Sequence, residues 1–359
     1  MSAPKQQPSP GESLRGFGLG TAILTAQQLK DVHTRLNQAF KRLSDPTITH
    51  LLDSLAGRLK MAGIDVDNQV PLRAFANRSI IASITEPDPA HPNRNTLINQ
   101  DALKKVEEAI LDQRTVRLKV PDPKQKGGTK EIIVWPLQIL FHNIAWYLAY
   151  ESMEMDRLLT VTRLDRIQLT GAKLPQQRSL AEMQGSQYRL EQLCRRTGGI
   201  FLGDNHQQQA ELAEAKLSET RIQELIRKGT LAQVRFRCSP RIYAFIRSGN
   251  NRYPGEQMRL AGPLPSDTWQ LNNNESQSQP LPPDPNNKTH PYPVELILPA
   301  WTVASDIDFR RWLFGFGGEL KIEAPTALRD EHRKYGQGIA SLYDTLEVEE
   351  RASLAAEGS

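Results

Sequence analysis

Trp135-Pro-Leu-Gln-Ile-Leu-Phe-His-Asn-Ile-Ala-Trp-Tyr-Leu-Ala-Tyr150, followed closely by Thr162-Arg-Leu-Asp-Arg-Ile167, decides the fold of this chain. It is the densest apolar and aromatic segment in a polar protein. β-favouring residues (Ile139, Leu140, Phe141, then Trp146, Tyr147, Leu148) flank the polar dipeptide His142-Asn143, so two strands joined by a hairpin turn are predicted. Thr160 to Leu169 alternates as well. Val161, Arg163, Asp165 and Ile167 share one face of a predicted third strand, and Thr162, Leu164, Arg166 and Gln168 the other.

Upstream, Leu103, Val106, Ala109 and Ile110 form the apolar stripe of a helix over Gln100–Gln113, with Asn99 as its cap. Thr115–Val120 is a strand with Val116, Leu118 and Val120 inward and Arg117 and Lys119 outward. Pro121–Gly128 is a basic turn, and Thr129–Trp135 starts the next strand. One helix and about five short strands suit a small β structure.

Pro136-Leu137, Trp146-Tyr147-Leu148 and Arg163-Leu-Asp-Arg-Ile167, in this order and spacing, resemble the WYL domain of bacterial transcriptional regulators. The resemblance implies a compact Sm/SH3-like barrel over 97–172. Arg310-Arg-Trp-Leu-Phe-Gly-Phe-Gly317, then Ala324-Pro325 and Leu328-Arg329, resemble the C-terminal extension that accompanies such domains. The expected fold class is therefore α+β: an N-terminal helical linker, a small β-barrel and a C-terminal α/β module.

Around this centre the chain divides by composition. Residues 1–20, rich in Pro, Gln and Ser, are expected to be disordered. Arg15–Gly20 is glycine-rich, but no strand precedes it and no Gly-Lys-Ser/Thr follows, which argues against a phosphate loop. Residues 21–96 are a helical linker and connector. Thr25 and Gln28 have capping-box spacing before the stripe Leu29, Val32, Leu36, Phe40 and Leu43, and Pro46 opens a second helix ending near Gly63. Its exposed His50, Asp53, Ser54 and Arg58 suit packing or dimerisation better than base reading. Residues 64–96 read as irregular, around a short apolar piece at Ser79–Ile84.

After the barrel, 173–229 is a connector with helices, including a polar helix over Gln207–Lys228. The module at 230–345 has strands at Leu231–Cys238, Val294–Leu298 and Leu320–Glu323, helices at Pro240–Ile246, Ile307–Phe314 and from Pro325, and a solvent-exposed low-complexity loop at about 262–293. Residues 346–359 are a tail. Family members usually begin with a winged helix-turn-helix, and Gly16–Leu24 resembles the exit from one. Direct DNA binding is thus expected only if such a reader is supplied upstream or by a partner.

The chain has 359 residues, 38% hydrophobic content and a formal charge of +4, which permits an anionic partner without requiring one. Two cysteines, Cys194 and Cys238, and no secretory signal favour a reducing cytoplasm. No apolar run is long enough to span a bilayer. The seven histidines show no metal-ligand spacing, neither cysteine has an adjacent activating His, and Gly-x-Ser-x-Gly does not occur. No metal, cofactor or catalytic residue is therefore expected. Asp306 and Asp308 are read as caps of the following helix.

Binding is the supported chemistry. Guanidinium forks match phosphate oxygens and rings stack on bases. The ligand-binding candidates are Arg163 and Arg166, with Arg117, Lys119, His142 and Tyr147 nearby, while Trp146 and Leu148 are core. Asp165 can pair with either arginine. A tyrosine common in the family falls near Val120 and an expected basic residue near Ile132, which implies an altered pocket. A second nucleic-acid surface is read at Arg235, Arg237, Arg241, Arg247, Arg252 and Arg259, interleaved with Tyr243 and Tyr253. The resemblance implies a sensor of a nucleotide or single-stranded nucleic acid, acting in transcription or a CRISPR-associated defence setting. The alternative is a non-enzymatic dimeric accessory module with a vestigial pocket.

Overall fold

The computed structural model describes residues 46–61, 63–64, 73–79, 100–122, 128–143, 145–154, 157–172, 174–214, 216–249, 252–269 and 280–357, with positions 25, 28–29, 31–34 and 36–37. The expected disordered segment, the Asn99 cap, most of the apolar piece at 79–84 and the centre of the low-complexity loop lie outside these residues. The order is α1 (Pro46–Met61), β1 (Arg73–Ser79), α2 (Gln100–Leu111), β2 (Val116–Pro121), β3 (Thr129–Asn143), β4 (Ala145–Ser152), β5 (Leu159–Arg163) and β6 (Gln168–Gly171). Then come α3 (Leu180–Thr197), α4 (His206–Glu214), α5 (Glu219–Arg227), β7 (Leu231–Cys238), α6 (Pro240–Gly249) and β8 (Met258–Arg259). Last are β9 (Tyr292–Pro299), α7 (Ala300–Ser305), α8 (Ile307–Phe314), β10 (Leu320–Ala324) and α9 (Thr326–Glu357).

The protein is mixed α and β, with two largely antiparallel sheets. The first runs β5-β4-β3-β2-β6, with β1 parallel on β3. No ladder joins β5 to β6 among the described residues, so this sheet is not closed into a hydrogen-bonded barrel. β3 is one long strand rather than two. Its first half pairs with β2 and its second with β4, and the register shifts between Pro136 and Gln138. Proline lacks the N–H a regular ladder needs, which suits it to that irregularity.

The β3–β4 turn falls one residue later than the sequence suggests. His142 still pairs with Ala145, and Asn143 takes the positive φ of 53°. Asn tolerates that region better than His. Thr160–Leu169 is not a single strand either. β5 ends at Arg163, a 3-10 turn spans Leu164–Arg166, and β6 begins at Gln168. Leu164 and Ile167 are both buried. Three positions apart, a strand would send them to opposite faces, whereas a three-residue turn directs both inward. β1 lies where an irregular connector was expected: Arg73-Ala-Phe-Ala-Asn-Arg-Ser79 gives a weak alternation, and its ladder to β3 is made by the backbone.

Near the N-terminus, the Thr25 N–H donates to Gln28 Oε1 at 2.8 Å and the Gln28 N–H to Thr25 Oγ1 at 3.2 Å. That is the expected capping box. Gln207–Lys228 is two helices, because Ser218 caps α5 by accepting from the Arg221 N–H. Residues 173–229 do more than connect: Met183, Leu190, Leu193, Leu212 and Leu225 join α2 and the first sheet in one core. Ser186 and both arginines Arg178 and Arg189 bond Glu151 of β4, which is fully buried, and so seat α3 on the sheet.

The second sheet, β10-β7-β9-β8, carries its own core of Val234, Phe236, Val294, Leu296, Phe309 and Leu313. Part of the expected exposed loop packs here, since Leu281 is buried and bridges to Ala261. The two halves meet at Gly198, where α3 ends with φ +65°. A Cβ there would overlap the Tyr253 ring. Gly198→Ala combines that overlap with left-handed strain and is expected to cost about 2 kcal/mol, read as a lowered urea midpoint with unchanged slope.

Candidate functional site

The site grows out of the β4–β5 pairing. Tyr147 sits opposite Arg163, so both side chains lie on one face. The 3-10 turn then folds Asp165 back onto Arg163: Arg163 Nε donates to Asp165 Oδ1 at 3.0 Å, and a second guanidinium N–H donates to Oδ2. Asp165 thus takes Arg163 rather than Arg166. Arg166 is exposed and makes no hydrogen bond or ion pair with a described residue. Burial raises the Tyr147 hydroxyl pKa, Arg163 and Arg166 oppose that rise, and Asp308 and Asp165 add to it. One half-buried phenol therefore senses four charges.

His142, at the end of β3, is buried, with its ring edge-on to Tyr147 at 6.3 Å. Its Nε2 lies 2.8 Å from Oδ2 of Asp308 on α8. The Asp308 carboxyl is held below the usual range, first by this bond, with help from Arg252 and Arg311. An ionised carboxylate can only accept, so Nε2 donates. Nδ1 is then buried without a partner among the described residues. Beside it, Asp306 caps α8 by accepting from the Asp308 N–H at 2.8 Å, and burial raises its carboxyl. The contact joins the first sheet to the C-terminal module across 166 positions of sequence. Asp308 was read only as a cap, and no local signal in the sequence links it to His142.

Arg117 and Lys119 lie on β2, which β3 and β4 separate from β5. On its other edge β2 pairs with β6, where Lys119 lies opposite Gln168, two residues after Arg166, so the 3-10 turn returns the chain from Arg163 to the strand beside this pair.

The second surface is largely neutralised from within. Arg235 and Arg259 both pair with Glu295 at 2.9 Å, Arg237 with Glu323 at 2.6 Å, and Arg241 with Glu319 at 3.3 Å. Arg247 stacks over Trp269 at 4.3 Å and Arg252 over Trp312 at 5.5 Å. Tyr243 and Tyr253 are core residues and offer no exposed ring. Tyr243 stacks on Tyr292 at 4.4 Å and its hydroxyl donates to the Ala261 carbonyl. The reason is helical: Tyr243 and Ile246, three apart on α6, share the face that meets the sheet.

Among the described residues no group of three or more His, Cys, Asp or Glu side chains could hold a metal. Burial pushes both cysteine thiols up, away from the range of a primed nucleophile. No described helix is long and apolar enough to cross a membrane.

No protein-family profile matches the chain, and no curated protein matches it. Solved structures similar to it include a CRISPR Cas-related protein, at 12% identity and TM-score 0.36, covering 68% of this chain and 52% of that one. Another is proteasome accessory factor B/C (PafBC) of Arthrobacter aurescens, at 15% identity and TM-score 0.28, covering 89% of this chain and 36% of that one. The chain thus spans about half of the first of these and about a third of the second.

Proposed function

We propose that this chain is a ligand-sensing regulator of the WYL type, whose face of Tyr147, Arg163 and Arg166 binds a nucleotide or single-stranded nucleic acid. The observation that carries the reading is Tyr147 and Arg163 opposite each other on one face, with Arg166 exposed three residues further on. Arg166 supplies a guanidinium for a phosphate and Tyr147 a ring for a base. The Asp165 carboxylate fixes Arg163 and competes with the ligand for it. His142, against both Tyr147 and Asp308, offers the route by which occupancy would reach the C-terminal module.

Under the same reading the first sheet is a small Sm/SH3-like barrel, passing from β5 to β6 through its 3-10 turn. The protein is not an enzyme and works in the cytoplasm in transcription or CRISPR-type defence. The Asp165 lock on Arg163 favours one competing reading, an accessory module whose pocket is vestigial.

Fluorescence anisotropy with short labelled single-stranded oligonucleotides and labelled nucleotides separates the two. Sensing predicts saturable binding that Arg166→Ala weakens about tenfold or more, the loss of roughly 1.5–3 kcal/mol for a charge-assisted bond. Flat titrations with the wild-type chain favour the accessory module.

A further inference from the structure

The Tyr147 face does not end with the first sheet. His142 meets the Tyr147 ring and also bonds Asp308, so the start of α8 stands beside that face. Asp308, Arg311 and Trp312 recur at i, i+3 and i+4 and share one side of α8. Arg311 is exposed, and its guanidinium makes no hydrogen bond or ion pair with a described residue. From Asp308 to Phe316, just past the helix, the axis runs about 12 Å.

A row of rings follows the same line. Trp312 meets Phe316 edge-on at 5.4 Å, and Phe316 meets Phe245 of α6 at 6.3 Å. Phe245 is 58% exposed, while α6 packs on the sheet through Tyr243 and Ile246. An isolated exposed ring needs no account. This one ends a row that starts in the core at Tyr253, which meets Trp312 at 5.8 Å. The turn after Phe316 is bare, and a Cβ added at Gly317 or Gly318 would meet nothing within 4 Å.

Guanidiniums bracket these rings. Arg311 precedes Trp312, and Arg241, one turn before Phe245 on α6, is 77% exposed. Its partner Glu319 also accepts from Ser239, and so open an ion pair is weak enough for a phosphate to displace. An apolar protein segment laid on the rings would bury Arg311 without a counter-ion. A duplex keeps its base faces stacked on one another, whereas a single strand offers bases to rings and phosphates to guanidiniums. We propose that the ligand of the Tyr147 face is a single-stranded oligonucleotide rather than a free nucleotide, and that it runs along α8 with a phosphate on Arg311 and a base on Phe245. This rests on the sensing reading of that face and makes the C-terminal module its second wall.

Fluorescence anisotropy on the full chain, with labelled dithymidylate, octathymidylate and an octamer duplex, tests this. The wild type is expected to bind the single-stranded octamer at least about tenfold more tightly than the dinucleotide, and more tightly than the duplex. Phe245→Ala should weaken octamer binding about tenfold, the scale of one lost base stack, and Phe245→Trp should retain it. Arg311→Ala should weaken the octamer several-fold, and neither alanine variant should change dinucleotide binding or the denaturation midpoint. An octamer bound no better than the dinucleotide, or indifferent to both alanine variants, overturns the proposal; if Arg166→Ala still weakens it, the sensing face itself stands. Flat titrations with every probe overturn the sensing reading as well.

Discussion

Replacing Glu151 with Gln is expected to lower unfolding stability by about 3–5 kcal/mol. The carboxylate is fully buried and accepts from Arg178 at 2.6 Å, Arg189 at 2.6 Å and Ser186 at 2.8 Å. A neutral amide leaves Arg178, itself almost entirely buried, as a charge without its counterion. The same arginine stacks over Trp135 at 5.0 Å, so the loss should spread into how α3 sits on the sheet. Arg189 is more open to solvent, and Arg189→Ala should cost clearly less. Urea denaturation followed by tryptophan fluorescence measures both. Equal costs would show that Glu151 does not rely on the buried partner.

The second large effect belongs to His142 and Asp308. Asp308→Asn should cost about 1.5–3 kcal/mol, the usual range for a hydrogen bond to a charged group. His142→Ala should cost more, because it also removes a buried ring packed against Tyr147. The acid dependence has a definite sign. The Asp308 carboxyl is depressed in the folded protein, so it holds its proton less readily there than in the unfolded chain. Its contribution is complete above the ordinary carboxyl value of 3.8 and is lost as pH falls through the lower folded value. The stability gap between wild type and Asp308→Asn should therefore close only in strong acid, and a gap that widens there would contradict the pairing.

How much of this was legible depended on range. β7 at Leu231–Cys238 and α8 at Ile307–Phe314 were readable to the residue, since strand alternation and the Asp306 cap are local. Tyr147 and Arg163 were readable as neighbours because a hairpin and the next strand keep register. The 3-10 turn was misread as strand because Val161, Arg163, Asp165 and Ile167 also fit a period of two. β1 escaped because its partner strand lies some 60 residues on and the ladder is backbone-made. Arginine spacing alone cannot show which guanidiniums find a carboxylate, so the Arg235–Glu295 and Arg237–Glu323 pairs were invisible. The tertiary pairing of His142 with Asp308 was equally so.

The most direct test of the sensing site is the salt dependence of oligonucleotide binding by the full chain. Each phosphate contact to a single strand contributes about 0.7 to the slope of log affinity against log salt. If the ligand lies on the Tyr147 face, Arg166→Ala lowers that slope by about 0.7, and Arg235→Ala, whose guanidinium is already held by Glu295, leaves it unchanged. A slope that falls with Arg235→Ala and ignores Arg166→Ala would move the site to the C-terminal module and contradict the account.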